Sequence, residues 1–114
     1  MTKILHNPRC SKSRATLELV RSQGIEPEVI EYLKDTPSSS QLGDILVMLD
    51  KVPRDILRRG EAIYKELGLD DPDLSDDVLI EAMVDHPILI ERPIVINGKK
   101  AALGRPPEDV LKIL

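Results

Sequence analysis

Apolar residues follow two different spacings along the chain, and the change from one to the other predicts the first elements. Residues 3–6 form a short apolar run around Ile4 and Leu5, which is typical of a buried strand. From residue 11 to residue 23 the apolar positions recur at helical spacing, and Gly24 follows as the expected terminator. Residues 28–32 are typical of a second strand. A strand, a helix and a strand within about thirty residues predict a βαβ unit with parallel strands and a right-handed crossover.

The middle of the chain changes to helical spacing throughout. Leu42, Ile45, Leu46 and Leu49 recur at i, i+3, i+4 and i+7, which predicts an amphipathic helix. Short helices are expected from Pro53 and over residues 61–67, and a longer one follows a serine N-cap at residue 75. We therefore predict an all-helical segment over about residues 38–86.

Strand patterns return in the last quarter of the chain. Residues 94–96 are apolar and β-branched, and Asn97-Gly98 predicts a type I′ hairpin turn into a strand over residues 100–103. A final helix is expected after Pro106 and Pro107. The order β-α-β, helices, then β-β-α predicts an α/β fold with a mixed sheet. We expect one domain over residues 1–114, with a helical insertion over about residues 38–86 between its two halves.

Composition narrows the class of protein. The chain has 114 residues, one cysteine, and no apolar run of membrane-spanning length, so we expect a single-domain cytoplasmic protein without a disulfide or a membrane span. A net charge of −4 argues against nucleic acid as the main partner. Two histidines and one cysteine fall short of the four ligands of a structural zinc site, so no metal is expected.

The single cysteine, Cys10, lies where the first strand ends and the first helix begins. The first N–H groups of a helix lack intrahelical partners and carry positive potential, so they favour a thiolate and can bind an oxyanion. Arg9, Lys12 and Arg14 add cationic charge nearby. An isolated cysteine is often an inert buried side chain. Here the neighbours are polar and turn-forming, which favours an accessible and reactive sulfur.

Several motifs carry a family resemblance over essentially the whole chain. They are His6-Asn7-Pro8-x-Cys10 with Ser13-Arg14, Leu57-Arg58, the stretches 64–69 and 86–95, and Gly104-Arg105-Pro106. In these motifs and their order the chain resembles the glutaredoxin-coupled arsenate reductases, which have a thioredoxin-like fold. The Cys-Ser-Lys-Ser segment departs from the best-characterised members, which carry other residues between the Cys and the Ser.

The resemblance implies a reaction and a set of site residues. Cys10 would attack the arsenic of arsenate, glutathione would add to the adduct, and glutaredoxin would help to complete reduction to arsenite, a role in arsenic detoxification. No bound cofactor is implied, since glutathione acts as a co-substrate. Arg58, Arg92 and Arg105 would hold the oxyanion, and paired donors with a permanent charge suit that task. The Arg92-Pro93 bond is expected to be cis.

The resemblance also implies that His6 and Ser13 belong to the catalytic site, and each residue has two alternative roles there. A protonated His6 would stabilise the Cys10 thiolate, whereas a neutral His6 would order the loop by a hydrogen bond. Ser13 is expected to hydrogen-bond Cys10 or the first turn of the helix.

Two other functions fit part of the pattern. Related regulators contact RNA polymerase and sense redox state through Cys-x-x-Cys, but Ser13 takes the place of the second cysteine here, which excludes an internal disulfide. A general monothiol oxidoreductase acting on glutathionylated proteins fits Cys-x-x-Ser, although the three arginines would then have no purpose.

Overall fold

The computed structural model describes all residues, 1–114. Their contacts divide the chain into two compact units. One unit consists of Met1–Asp35 together with Arg92–Leu114, and the other is Thr36–Glu91.

A four-stranded mixed sheet forms the first unit. Its strands are β1 (Thr2–Leu5), β2 (Glu28–Ile30), β3 (Ile94–Asn97) and β4 (Lys100–Leu103), in the order β2-β1-β3-β4. Helix α1 (Ser11–Ser22) connects β1 to its parallel neighbour β2, whereas β3 is antiparallel to both β1 and β4. This is the thioredoxin-like mixed sheet that the sequence predicts.

The core of this unit joins the sheet to its helices. Ile4, Val20, Val95 and Val110 are fully buried there and come from β1, α1, β3 and the C-terminal segment. The predicted final α-helix is instead a 3₁₀ helix over Pro107–Ile113, with its first bond from Asp109 N–H to the Pro106 carbonyl. The segment still reaches the core in this form, since Val110 is fully buried there.

The turn between β3 and β4 differs from the type I′ turn that was predicted at Asn97-Gly98. Asn97 pairs with Lys100 as the last pair of the ladder, so the two central residues of the turn are Gly98 and Lys99. Of these two central residues, only Gly98 has a positive φ, at 62°. A type I′ turn needs positive φ at both central residues, whereas a glycine in the first central position is the pattern of a type II′ turn.

Helices make up most of the second unit. They are α2 (Ser39–Leu49), α3 (Ala62–Glu66) and α4 (Asp76–Asp85), with 3₁₀ turns at Pro53–Ile56 and Pro87–Leu89. Ser38 caps α2 in a capping box with Gln41, and Ser75 caps α4 as predicted. One antiparallel bridge, between Leu57 and Ile90, departs from the helical pattern. None of the helices in the chain combines the length and apolar composition that crossing a membrane requires.

Candidate active site

Cys10 occupies the N-cap position of α1, as the sequence pattern predicted. Its backbone is extended, with φ −94° and ψ 122°, and its carbonyl accepts a hydrogen bond from Arg14 N–H at 3.0 Å. The residue is partly exposed, so the sulfur is neither a core atom nor fully solvated. A thiol in this position meets the unpaired N–H groups of the first helical turn.

The loop before Cys10 is held by short-range hydrogen bonds. Cys10 N–H donates to the Asn7 carbonyl at 3.0 Å, and Arg9 N–H donates to the Asn7 side-chain oxygen at 3.0 Å. Arg14 reaches back from α1 and donates from Nη1 to the Pro8 carbonyl at 2.9 Å. The sequence suggested Arg14 as a nearby charge, but the structure shows a hydrogen bond that ties the loop to the helix.

The surroundings of Cys10 favour the thiolate overall. Partial burial on its own raises the pKa of the Cys10 thiol. The backbone N–H of Ser13, the charge of Arg92, the backbone N–H of Lys12 and the charge of Arg105 oppose it, and the pKa falls below its ordinary value. The helix N-terminus and two arginines therefore act on one sulfur.

Arg92 and Arg105 flank the β3–β4 hairpin. Ile94 pairs with Leu103 at the open end of the hairpin, so the residues just beyond that pair lie at the same end of the sheet. Arg105 donates from Nε to the Arg92 carbonyl at 2.9 Å. The Arg92-Pro93 bond is cis, as expected, and Arg105-Pro106, for which the sequence suggested nothing, is cis as well.

Gly104 lies in close contact with α1. Its N–H donates to the Pro93 carbonyl at 2.9 Å. A Cβ at this position would lie 2.5 Å from Thr16 Oγ1 and 2.7 Å from Pro93 Cγ. Thr16 is fully buried and Pro93 is buried as well, so neither neighbour has open space to move into. Glycine therefore permits the approach of the segment that carries Arg105. The sequence analysis identified Gly104-Arg105-Pro106 as a motif, but it could not predict that Gly104 packs against Thr16.

His6 and Ser13 lie together beneath the loop. His6 Nδ1 is 2.6 Å from Ser13 Oγ, and Ser13 Oγ also accepts from Asn7 N–H at 3.0 Å. The hydroxyl of Ser13 thus contacts His6 and Asn7, which differs from the expected bond to Cys10 or the first helical turn. It is the backbone N–H of Ser13 that hydrogen-bonds to the sulfur of Cys10 and lowers the pKa of the thiol. Nothing in the sequence pattern predicted that the Ser13 hydroxyl points toward His6 and Asn7.

Arg58, the third predicted oxyanion ligand, belongs to the helical unit. Its Nη1 donates to Glu61 Oε1 at 2.8 Å and to the Ile88 carbonyl at 3.3 Å. Its backbone N–H donates to the Leu89 carbonyl at 2.8 Å. The structure thus groups Cys10, His6, Ser13, Arg92 and Arg105 in one unit, and the assignment of Arg58 to the same oxyanion stays a prediction.

The site contains no set of side chains suited to a metal ion. Nowhere in the chain do three or more His, Cys, Asp or Glu side chains come together in a way that could hold one. The arrangement around Cys10 instead offers a nucleophilic sulfur, backbone N–H donors and guanidinium groups, which together suit a tetrahedral oxyanion.

Comparisons with known proteins agree with this geometry. A family model described as the ArsC family matches residues 5–113. The arsenate reductase of Neisseria meningitidis serogroup A is 50% identical over 113 residues, covering 98% of this chain and 97% of its own. The uncharacterized protein YfgD of Escherichia coli is 52% identical over 113 residues, covering 98% of this chain and 95% of its own.

Solved structures agree as well. The arsenate reductase from Vibrio cholerae has a TM-score of 0.96 to this chain at 52% identity, covering 99% of this chain and 97% of that one. Both the family model and the individual relatives span nearly the whole sequence. On this evidence the chain is a member of the ArsC family.

Proposed function

We propose that this protein is an arsenate reductase in which the Cys10 thiolate is the nucleophile. The observation that supports this most directly is the place of Cys10 at the N-cap of α1, where first-turn N–H groups together with Arg92 and Arg105 act on the sulfur and lower its pKa. A thiolate attacks where a thiol does not, and the two guanidinium charges suit an anionic substrate. We infer that the substrate is arsenate because relatives of this chain are named arsenate reductases.

The first step forms a bond between Cys10 Sγ and the arsenic of arsenate. One arsenate hydroxyl takes up a proton from the solvent and leaves as water, and the arsenic stays in the +5 state. Backbone N–H groups of the first turn of α1, with Arg92 and Arg105, would hold the remaining oxygens. We propose Arg58 as a third ligand on the family resemblance. Each guanidinium offers paired donors and a charge that does not titrate.

The electrons come from thiols outside the chain in this proposal. Cys10 is the single cysteine, and Ser13 stands where a resolving cysteine would be needed. Glutathione adds to the arsenic adduct, and as its sulfur bonds to arsenic a second arsenic oxygen leaves as water. A glutaredoxin thiol then attacks the glutathione sulfur and breaks the bond between that sulfur and arsenic. The two external sulfurs leave as a mixed disulfide, arsenic(V) gains two electrons, and water releases arsenite from Cys10. We expect this chemistry to take place in a reducing cytoplasm, because it needs a free thiol and reduced glutathione.

The test is an arsenite-release assay with the purified protein. Glutathione and glutaredoxin are added separately and together, and a parallel series replaces them with thioredoxin. We expect turnover with the pair, none with Cys10→Ser, and wild-type turnover with Ser40→Ala, which removes an exposed serine hydroxyl in α2. Arsenate turnover by Cys10→Ser would overturn the mechanism. Turnover with thioredoxin alone would overturn the electron donors.

The same assay separates the proposal from a monothiol oxidoreductase. A glutathionylated peptide is offered in place of arsenate. Reduction of the peptide without arsenate turnover would show that the site serves mixed disulfides and that arsenate is not its substrate.

A further inference from the structure

The hydroxyl of Ser13 can donate one hydrogen bond, and its buried surroundings offer few acceptors for it. Ser13 is fully buried, and its Oγ already accepts a hydrogen bond from Asn7 N–H at 3.0 Å. A buried hydroxyl proton without an acceptor is destabilising, because burial removes the water that would otherwise accept its hydrogen bond. The one acceptor within hydrogen-bond distance is His6 Nδ1, at 2.6 Å. Ser13 is therefore the donor in this bond and Nδ1 is the acceptor.

This direction fixes the ionisation state of His6. An imidazole that accepts at Nδ1 is neutral and carries its proton on Nε2. The environment agrees, because burial lowers the pKa of His6, and Arg21 and Arg14 lower it further against the opposing charge of Glu31. A protonated His6 would donate from Nδ1, and the Ser13 proton would then lose its acceptor.

We propose that His6 is a positioning residue that acts as a neutral acceptor, orients Ser13, and through Ser13 holds the loop that aims Cys10. The connection runs through contacts. His6 Nδ1 takes the Ser13 proton, Ser13 Oγ takes the Asn7 N–H, and the Asn7 carbonyl takes the Cys10 N–H at 3.0 Å. His6 contributes no positive charge to the thiolate.

The proposal divides the roles around the sulfur. Ser13 acts on Cys10 through its backbone N–H and acts on the loop through its hydroxyl. The positive charge that stabilises the thiolate comes from Arg92 and Arg105. The inference rests on the proposed function only in taking Cys10 as the reactive group, since it concerns how that sulfur is held.

Substitution by asparagine separates the two roles of His6. The side-chain oxygen of asparagine can take the place of Nδ1 as an acceptor but can never become a cation. The thiol pKa is measured from the pH dependence of Cys10 alkylation by iodoacetamide. We expect His6→Asn to keep the wild-type thiol pKa, whereas His6→Ala and Ser13→Ala raise it by about one unit. Ser40→Ala, which removes an exposed serine hydroxyl in α2, is the control and should leave the pKa unchanged.

A spectroscopic measurement reads the ionisation state without any variant. In the ¹⁵N spectrum of histidine-labelled wild-type protein at neutral pH, Nδ1 of His6 should carry no proton and Nε2 should carry one. A protonated Nδ1, or a thiol pKa that rises equally in His6→Asn and His6→Ala, would overturn the proposal. Neither measurement uses arsenate, so failure of arsenate reduction would defeat the proposed function while these results still decide the role of His6.

Discussion

The Nε of Arg105 donates a hydrogen bond to the backbone carbonyl of Arg92 at 2.9 Å. The side chain of one predicted oxyanion ligand is thus oriented by the main chain of another. Because a guanidinium is planar, a bond at Nε sets the direction in which the whole group faces. Arg105 therefore contributes both a positive charge near Cys10 and a fixed direction of its guanidinium group. A substitution can remove one of these properties and keep the other.

Lysine at position 105 should keep the charge and lose the orientation. We expect Arg105→Lys to raise the KM for arsenate about tenfold, since an ammonium has no planar fork and no Nε. The pKa of Cys10 should stay low in this variant and rise in Arg105→Ala, because Arg105 is one of the charges that lower it. Steady-state kinetics and the pH dependence of alkylation measure the two effects. Arg9→Ala should change neither, because Arg9 adjoins Cys10 in the sequence but is not among the charges that lower its pKa in the structure. Equal effects at positions 9 and 105 would contradict the prediction.

A methyl group at position 104 should destabilise the fold. Gly104→Ala would place its Cβ 2.5 Å from Thr16 Oγ1, so the strand end and α1 would have to move apart. We expect a loss of about 1–3 kcal/mol in the free energy of unfolding, measured by urea denaturation. Gly43→Ala is the matched control, because Gly43 lies inside α2 with nothing within 4 Å of a new Cβ. That substitution should stabilise by about 0.5–1 kcal/mol. A neutral Gly104→Ala would show that the contact is easily relieved.

His6 should make stability depend on pH in the acidic range. Burial first of all lowers its pKa in the folded protein, so between the folded value and the unfolded value of about 6.5 the unfolded chain binds more protons. Its contribution is complete above about pH 6.5 and is lost as the pH falls toward the lower folded value. Urea unfolding at a series of pH values should show this loss in the wild type and not in His6→Asn. Parallel curves for the two proteins would contradict it.

Glu61 should matter for arsenate binding through Arg58. The two side chains form an ion pair at 2.8 Å with about a quarter or less of each exposed, and the contact engages Nη1 of Arg58. If Arg58 is an oxyanion ligand, Glu61→Gln should raise the KM for arsenate about threefold and leave kcat unchanged, because it loosens a binding group. Glu66→Gln removes the same charge at the other end of α3, where Glu61 is the N-cap and Glu66 the last residue, and serves as the control. A lower KM in Glu61→Gln would mean that Glu61 competes with the substrate.

Local patterns in the sequence predicted most of the elements. The apolar run at Ile4 and Leu5, the helical spacing that follows Cys10, and the serine cap at residue 75 act within a few residues, so they can be recognised without a fold. The errors were also local in origin. The turn at Gly98 was assigned from a dipeptide, whereas the pairing of Asn97 with Lys100 decides where the loop begins.

The sequence by itself determined that this protein has a single cysteine at a strand-to-helix junction, surrounded by polar and basic residues. Only the tertiary structure decided what meets that cysteine. Arg92 and Arg105 act on Cys10 from more than eighty residues away, and Gly104 contacts Thr16 across the unit. Such contacts depend on strand pairing and packing, which local spacing does not encode. The direction of the Ser13 hydroxyl toward His6 likewise follows from burial, because a buried proton must find an acceptor wherever the fold supplies one.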